Sequence, residues 1–282
     1  APGQAGSTRI NLNFGPQIRA FPEVMDAARL AADVWEENLT DDTTITIDVD
    51  LTNTLSQTPV TGFPGAGVLS TLKTNNFGGF QGIQYLFEDN AYTSTTDIFA
   101  TTKQQVSIAY DTVQSALVND AGDHEQLVKQ LPTSTELNVD FPTSTALPFR
   151  NAPTMQLTTA NAKALGLTTS GTGADGQVLI TDNLDLFDFD RTDGLRAYRE
   201  DFQTQFMTQI GEILGFGSSL NEVGFLLQNP LTTGMEMPIQ LTPLDLFRFA
   251  PGDAGTDFTS ATRRLDPTER DHVFYAGSDL DF

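Results

Sequence analysis

The order of a short strand, a long helix and a second strand at the start of the chain restricts the fold more than any other feature. Residues 9–14 indicate a first strand, and Pro22 suits the first position of a helix, where its missing N–H would be unbonded in any case. Apolar residues then recur at helical spacing as far as Trp35. Residues 43–51 alternate polar and apolar side chains, as a half-buried strand does. This order predicts a fold that combines helices with a sheet.

The rest of the chain alternates helical and extended segments. The predicted elements are a helix over 95–118, an extended stretch over 132–157, a short helix over 159–165, a strand over 177–181 and a long helix over 195–214. Gly166 would close the short helix, and Asp193 would cap the long one. Thr242 and Asp245 have the spacing of a capping box, with Asp in place of Glu. We see no internal repeat and no linker, so we predict one domain.

The last long helix ends in the segment TQIGEILGF, residues 208–216. Its spacing is that of the zinc-binding helix H-E-x-x-H, in which two histidines one turn apart hold the metal and the glutamate is the general base. Thr208 and Glu212 occupy the two histidine positions, and Gln209 occupies the general-base position. A threonine hydroxyl is a poor zinc ligand, an amide cannot accept a proton from water, and one carboxylate does not select zinc. The alternative interpretation is an amphipathic core helix with a chance similarity.

The residues around these positions resemble the H-E-I-G-H-x-L-G-F segment of secreted bacterial zinc proteases of the metzincin type. The other segments that resemble this family, in the same order, are 10–14, 25–36, 43–51, 158–167, 187–194, 242–249 and 271–277. The resemblance covers residues 9–277 and leaves an N-terminal extension at 1–8 and an acidic tail at 278–282. It implies a single-domain α+β fold with a metzincin-like twisted mixed sheet packed against long helices.

Two departures from the family pattern imply a degenerate, inactive member. The motif lacks both histidines and the glutamate, and Asn221 stands where the family tends to carry an aspartate. Family members also continue through a histidine-containing segment and a methionine turn, whereas the sequence here ends shortly after Gly277. Met235 and Met237 come too early to supply that turn, and we interpret them as loop or packing residues. We therefore expect a protein that is not an enzyme.

An excess of acidic residues limits the partners of the chain. The 282 residues include 15 Lys and Arg against 37 Asp and Glu, which gives a formal net charge of −22. Such a chain lacks the clustered cations that bind nucleic acid, and no apolar run approaches the ~20 residues of a membrane helix. The absence of cysteine excludes disulfides and thiolate metal sites. The start Ala-Pro-Gly-Gln fits cleavage by signal peptidase, so we expect a secreted or cell-surface protein.

Aspartates crowd the segment ahead of the motif helix and are the candidate metal ligands. Asp185, Asp188, Asp190 and Asp193 fall with Asp182 within a short stretch. Oxygen-rich loops of this kind can bind calcium. The spacing is not that of an EF-hand, however, and the interleaved apolar residues favour a strand with one solvated face. We therefore expect no cofactor, and calcium is the alternative.

Histidine is too rare in this chain to indicate a zinc site by itself. The two histidines are His124 and His272, which are far apart in sequence and would have to meet beside carboxylates. The acidic residues around His124 fit a solvated turn. Ser218 and Ser219 follow a predicted helix and do not form the G-x-S-x-G elbow of a serine hydrolase.

Three functions follow from these observations. The first is a non-catalytic secreted pseudoprotease that self-assembles into an extracellular filament, tube or surface layer, by strand addition of the N-terminal segment or docking of the acidic tail. The second is an active peptidase with an atypical metal site built from Glu212, an acid near Asp201 and a histidine. The third is a pseudoprotease that binds peptides or a protein partner at a cleft-edge strand, as an adhesin or inhibitor. We expect the first, with copies of the same chain as partners.

Overall fold

The computed structural model has an α+β fold, as predicted. It describes residues 8–53, 73–77, 80–84, 98–120, 130–142, 148–167, 173–228, 236–249, 259, 261–267 and 273–274. The chain divides into two compact units. The first unit comprises residues 1–104 and 170–214, and the second comprises 105–169 and 215–282. Among the helices that the structure describes, none combines the length and apolar character needed to cross a membrane.

Helices and strands alternate along both units. The helices are α1 (Pro22–Asn38), α2 (Tyr110–Asp120), α3 (Thr159–Ala164), α4 (Phe202–Leu214) and α5 (Leu220–Gln228). The strands are β1 (Arg9–Phe14), β2 (Thr44–Thr52), β3 (Lys73–Phe77), β4 (Phe80–Gln84), β5 (Phe99–Lys103), β6 (Gln105–Ala109), β7 (Val139–Asp140), β8 (Phe149–Asn151), β9 (Thr154–Thr158), β10 (Gly176–Thr181), β11 (Phe187–Asp188), β12 (Glu200–Asp201), β13 (Met237–Ile239), β14 (Arg248–Phe249), β15 (Arg263–Arg264) and β16 (Val273–Phe274).

The first unit is built on a mixed four-stranded sheet in the order β1-β2-β10-β5. The first three strands run parallel, and β5 is antiparallel to β10. The alternation predicted for β2 is present, since Ile45, Ile47, Val49 and Leu51 are buried while the residues between them are partly exposed. Elsewhere in this unit, β3 and β4 form an antiparallel pair, and the two-residue strands β11 and β12 run parallel.

Two helices cover the apolar face of this sheet. Pro22 begins α1, as predicted, and the buried positions of α1 are mostly alanines, which allow close packing. The Trp35 indole Nε1 donates to the main-chain oxygen of Met207 at 3.0 Å and so joins α1 to α4. The rings of Phe99, Phe187, Phe202 and Phe206 pack together with centroid distances of 5.3–6.3 Å. This aromatic cluster fixes α4 against β5.

The second unit contains smaller sheets around a separate core. β6 pairs with β9, β8 pairs with β13, and four short strands follow the order β16-β14-β15-β7. The core residues at its centre are Tyr110, Val113, Met155, Leu157, Leu246, Phe249 and Leu265. Arg263 is fully buried beside them, with its guanidinium 5.0 Å from the Phe249 ring centroid and Nη1 donating to the Ala261 oxygen at 2.7 Å. Met237 is partly buried against a small apolar cluster, in agreement with the predicted packing role.

The predicted helix over 95–118 is wrong in its first half. Residues 99–103 and 105–109 form β5 and β6, and only Tyr110–Asp120 is helical. The segment contains Thr101, Thr102, Val106 and Ile108, whose β-branched side chains favour strands over helices. Phe99 is buried as expected, but it lies on a strand.

The predicted start of the motif helix is also wrong. A short 3-10 turn at Arg191–Asp193 comes first, and α4 begins at Phe202. Gly194 and Tyr198 have positive φ values of 89° and 65°. A right-handed helix therefore cannot continue through either residue. Asp201 therefore takes the capping role expected of Asp193, and its Oδ1 accepts from the Thr204 amide at 3.3 Å.

Candidate functional site

Helix α4 carries the three positions that correspond to the zinc-binding motif, and their side chains lie in different surroundings. Its buried residues are Phe202, Phe206, Ile210, Gly211, Ile213 and Leu214. Thr208, at the first histidine position, is exposed, and its hydroxyl donates to the main-chain oxygen of Thr204 at 3.2 Å. This local bond is the ordinary one for a threonine inside a helix. The hydroxyl therefore makes the contact expected of a surface threonine.

Gln209, at the general-base position, links α4 to the sheet. Its Oε1 accepts from the Thr101 hydroxyl on β5 at 2.7 Å, and its Nε2 lies 3.5 Å from the Gln205 oxygen. Both polar atoms of the amide are thus engaged inside the first unit. An amide has no basic electron pair that could accept a proton from water near neutral pH. The arrangement gives Gln209 a structural contact in place of acid–base chemistry.

Glu212, at the second histidine position, is partly buried and already has an interaction partner. One engaged carboxylate, one threonine and one amide do not make the donor set that zinc requires. The three motif positions therefore do not fit a zinc ion, and no catalytic step follows from them.

Gly215 preserves the shape of the motif after the helix. Its φ is +101°, and a Cβ there would lie 1.8 Å from the Asn161 side-chain oxygen. Glycine is consequently required for both its backbone conformation and the close contact. Backbone conformation and packing therefore explain Gly215 without any chemistry at the motif positions.

Strand β5 forms an open edge of the sheet beside α4. The Thr181 amide donates to the Ile98 oxygen at 3.0 Å, and the Gln104 amide donates to the Asp175 oxygen at 2.8 Å. Because bonded positions alternate in an antiparallel ladder, the main-chain groups of Phe99, Thr101 and Lys103 point away from β10. Within the part of the chain that the structure describes, no group hydrogen-bonds to these outward amides and carbonyls.

The opposite edge, strand β1, is partly occupied by side chains. The Ile10 amide donates to Glu36 of α1, and the Ile10 oxygen accepts from Arg29 Nη1 at 3.0 Å. Further along, the Phe14 oxygen accepts from Arg19 Nε at 2.9 Å. Such side-chain contacts occupy groups that another strand would need. Among the described residues, side chains therefore occupy part of the β1 edge, whereas the outward main-chain groups of β5 have no partner.

The aspartates predicted to bind calcium accept from neighbouring amides and hydroxyls or lie beside arginines. Asp185 is exposed and lies 3.7 Å from the Arg199 guanidinium. Asp188 is buried, and its Oδ2 accepts from the Arg196 amide at 2.7 Å, which lowers the pKa of this carboxyl. Asp190 accepts from the hydroxyl and the amide of Thr192, and these bonds lower its pKa as well.

The predicted metal ligands are not gathered into a visible site. The side chain of Asp193 lies outside the described residues. The described residues contain no group of three or more His, Cys, Asp or Glu placed to hold a metal ion. Calcium binding by this segment therefore stays a prediction.

The residues of the alternative peptidase site are placed only in part. The Asp201 carboxylate caps α4 by accepting from the Thr204 amide, and it lies 3.2 Å from Arg191 Nε. Both contacts engage it within the protein. His124 and His272 lie outside the described residues, as do the N-terminal segment 1–7 and the acidic tail. The structure thus brings no histidine to Glu212 or Asp201 among the residues it describes.

The buried carboxylate of Asp245 accepts several hydrogen bonds in the second unit. The sequence predicts only the bonds of its capping box with Thr242. The capping box of Thr242 and Asp245 is present. Asp245 is fully buried and also accepts from the Ser218 hydroxyl at 2.5 Å and from the Ser219 hydroxyl at 2.7 Å. The serines were visible in the sequence, but nothing in their spacing pointed to a carboxylate 26 residues away.

The side chain of Glu222 on α5 lies close enough to Asp245 for the two carboxylates to interact electrostatically. Burial and the nearby Asp245 carboxylate raise the pKa of Glu222 from 4.5 to about 7. A carboxyl that titrates near neutral pH can be a catalytic group. The nearby carboxylate of Asp245 already accepts from Ser218, Ser219 and Thr242, and we interpret the raised pKa of Glu222 as a consequence of burial beside this charge.

Comparisons of the chain with protein-family models, with curated proteins and with solved structures found no match.

Proposed function

We propose that the protein is a non-catalytic structural subunit, secreted and built on a metzincin-like framework, that associates with copies of itself into an extracellular assembly. The observation that carries this proposal is the contact between Gln209 and Thr101 at 2.7 Å. The residue at the general-base position serves as a tie between the motif helix and a sheet edge that is open to another strand.

The loss of chemistry at the motif supports a non-enzymatic role. Peptide hydrolysis at a metal site needs a bound cation and a base that can take a proton from water. Thr208 and Gln209 supply neither, and both of their side chains make intramolecular bonds. The frame, by contrast, contains Gly215, whose positive φ favours glycine. Retention of the fold without its chemistry is the expected state of a framework used for contacts.

The open edge supports association through main-chain bonding. Unpaired amides and carbonyls on an edge strand are a template for another strand, and soluble proteins usually block them. The chain blocks β1 with Glu36, Arg29 and Arg19 but leaves the outward groups of β5 unbonded among the described residues. The difference between the two edges favours a contact at β5.

The net charge sets the conditions for association. A formal charge of −22 on each copy opposes close approach in dilute buffer. Salt shortens the range of this repulsion to about 8 Å near physiological ionic strength. Association should therefore strengthen with salt, and with calcium if the segment around Asp188 binds it.

Negative-stain electron microscopy of the purified protein tests the proposal. We expect ordered filaments, tubes or sheets whose abundance rises with sodium chloride between about 20 and 500 mM. Parallel samples with calcium and with a chelator would separate a calcium requirement from simple screening. Dispersed single particles under every condition would overturn the proposal.

Binding of a foreign peptide is the second candidate, because the same open edge could pair with any extended chain. Fluorescence anisotropy with a set of labelled extended peptides would detect it. Peptide binding by a protein that stays monomeric would favour this candidate over self-assembly.

A peptidase assay tests the alternative that the protein is an active metal-dependent peptidase. The protein is incubated with zinc and a mixed peptide substrate, and the Glu212→Ala variant is measured beside it. We expect no cleavage by either protein. Cleavage by the wild type that is lost in the variant would show an atypical metal peptidase.

A further inference from the structure

We propose that two copies of this chain pair through β5 in an antiparallel arrangement, with a two-fold axis at Thr101. The proposal rests on the proposed self-association and names its contact. The two four-stranded sheets would then continue into one another across the pair of β5 strands.

The outward groups of β5 are self-complementary. The residues that point outward are Phe99, Thr101 and Lys103, which are spaced evenly about Thr101. In an antiparallel pair centred there, Thr101 faces Thr101 of the second copy, and Phe99 faces Lys103. Each outward residue then exchanges both of its main-chain bonds. A two-fold contact of this kind uses the same surface on both copies and closes on itself.

The side chains of β5 leave the edge accessible. Phe99 is 3% exposed and packs in the aromatic cluster, while the Thr101 hydroxyl is bonded to Gln209. The strand contains no proline, and Lys103 is its one charged residue. An antiparallel pair places the two Lys103 side chains at opposite ends, whereas a parallel pair in register would place them side by side. Charge therefore favours the antiparallel arrangement.

Strand β1 is a poorer partner for β5 than a second β5, because side chains already bond to part of its edge. A β5–β1 contact would have to displace Glu36 and Arg29 from the main chain of Ile10. A β5–β5 contact displaces no bond between described residues. The structure thus favours a two-fold dimer as the first step of any larger assembly.

Proline substitution at Lys103 tests the contact. The Lys103 amide points outward, so Lys103→Pro removes a bond of the dimer without removing a described bond to β10. Lys103→Ala is the matched control, because it removes the charge and keeps the amide. Sedimentation velocity over a concentration series at about 500 mM salt measures the dimer dissociation constant. We expect Lys103→Pro to raise it at least about tenfold and Lys103→Ala to change it by less than about threefold. Circular dichroism confirms that both variants are folded.

A single-cysteine crosslink tests the axis position. The natural chain has no cysteine, so Thr101→Cys gives one thiol per copy. In the proposed pair the two Cα atoms lie about 5.5 Å apart, within the range of a disulfide. Mild oxidation should give a covalent dimer, whereas Gln177→Cys on the neighbouring strand β10 should not.

The outcomes distinguish this inference from the proposed function. If Lys103→Pro associates as strongly as the wild type, the β5 contact is wrong and self-association stands. If the wild type is monomeric at every concentration, both proposals are wrong. A Thr101→Cys dimer from a protein that never forms larger assemblies would support the contact and overturn the extended assembly.

Discussion

Neutralising Glu222 should change how the stability of the protein depends on pH. The carboxyl of Glu222 has its pKa raised from 4.5 to about 7, first by burial and then by the charge of Asp245. The Glu222→Gln variant keeps the size of the side chain and removes the titration. It therefore isolates the contribution of a single proton to folding.

The sign follows from proton binding. Between pH 4.5 and about 7 the folded protein holds a proton on Glu222 that the unfolded chain has released. The contribution of Glu222 is thus complete below the lower value and is lost as the pH rises through this window. Each pKa unit corresponds to about 1.4 kcal/mol, so the wild type should lose about 3 kcal/mol relative to Glu222→Gln between pH 4.5 and pH 8.

Urea denaturation at pH 5, 6, 7 and 8, followed by far-ultraviolet circular dichroism, measures this difference. Subtracting the variant from the wild type cancels groups common to both, including the two histidines. Glu37→Gln at an exposed position on α1 is the control for loss of one surface charge. A Glu222→Gln difference that stays flat over this pH range would refute the reasoning.

Four further substitutions test the packing around the motif and the buried carboxylate by urea denaturation. Gly215→Ala should cost roughly 2–4 kcal/mol, because φ is +101° and the new Cβ would overlap Asn161, and a cost under about 0.5 kcal/mol would contradict this. Asp245→Ala should cost about 3 kcal/mol or more, since it leaves buried hydroxyl and amide donors unpaired, and a neutral result would contradict the network. Gln209→Ala should cost about 1 kcal/mol while the exposed Thr208→Ala stays within about 0.5 kcal/mol, and equal effects would show that the tie to the sheet contributes nothing.

Local patterns predicted the parts of the fold that depend on neighbouring residues. The strand at Arg9–Phe14, the helix opened by Pro22 and the capping box at Thr242 and Asp245 are all present. The short helix over 159–164 ends near Gly166, whose φ is +64°. In each case the signal is a period or a cap within one element, which sequence reading can detect.

The features that the sequence did not reveal depend on long-range contacts. The tie between Thr101 and Gln209 joins residues 108 positions apart. The assignment of β5 as a strand depends on pairing with β10, which follows more than 70 residues later in the chain. Tyrosine rarely adopts a positive φ, so the sequence does not predict this conformation at Tyr198. Because of it, α4 begins at Phe202 and not at the predicted position 195.

The sequence predicted which residues occupy the motif positions but not which residues their side chains contact. The sequence located Thr208, Gln209 and Glu212 and the lack of ligand chemistry there. It could not show that the Gln209 amide accepts from Thr101 on the edge strand β5, because strand order arises only from tertiary pairing.

The most direct test of self-association is electron microscopy of the wild-type protein at low and high salt, with the concentration held constant. The account predicts few assemblies at about 20 mM sodium chloride and abundant, regularly repeating assemblies at about 500 mM, as the repulsion between copies of charge −22 is screened. Monodisperse particles of one chain at both salt concentrations would contradict it.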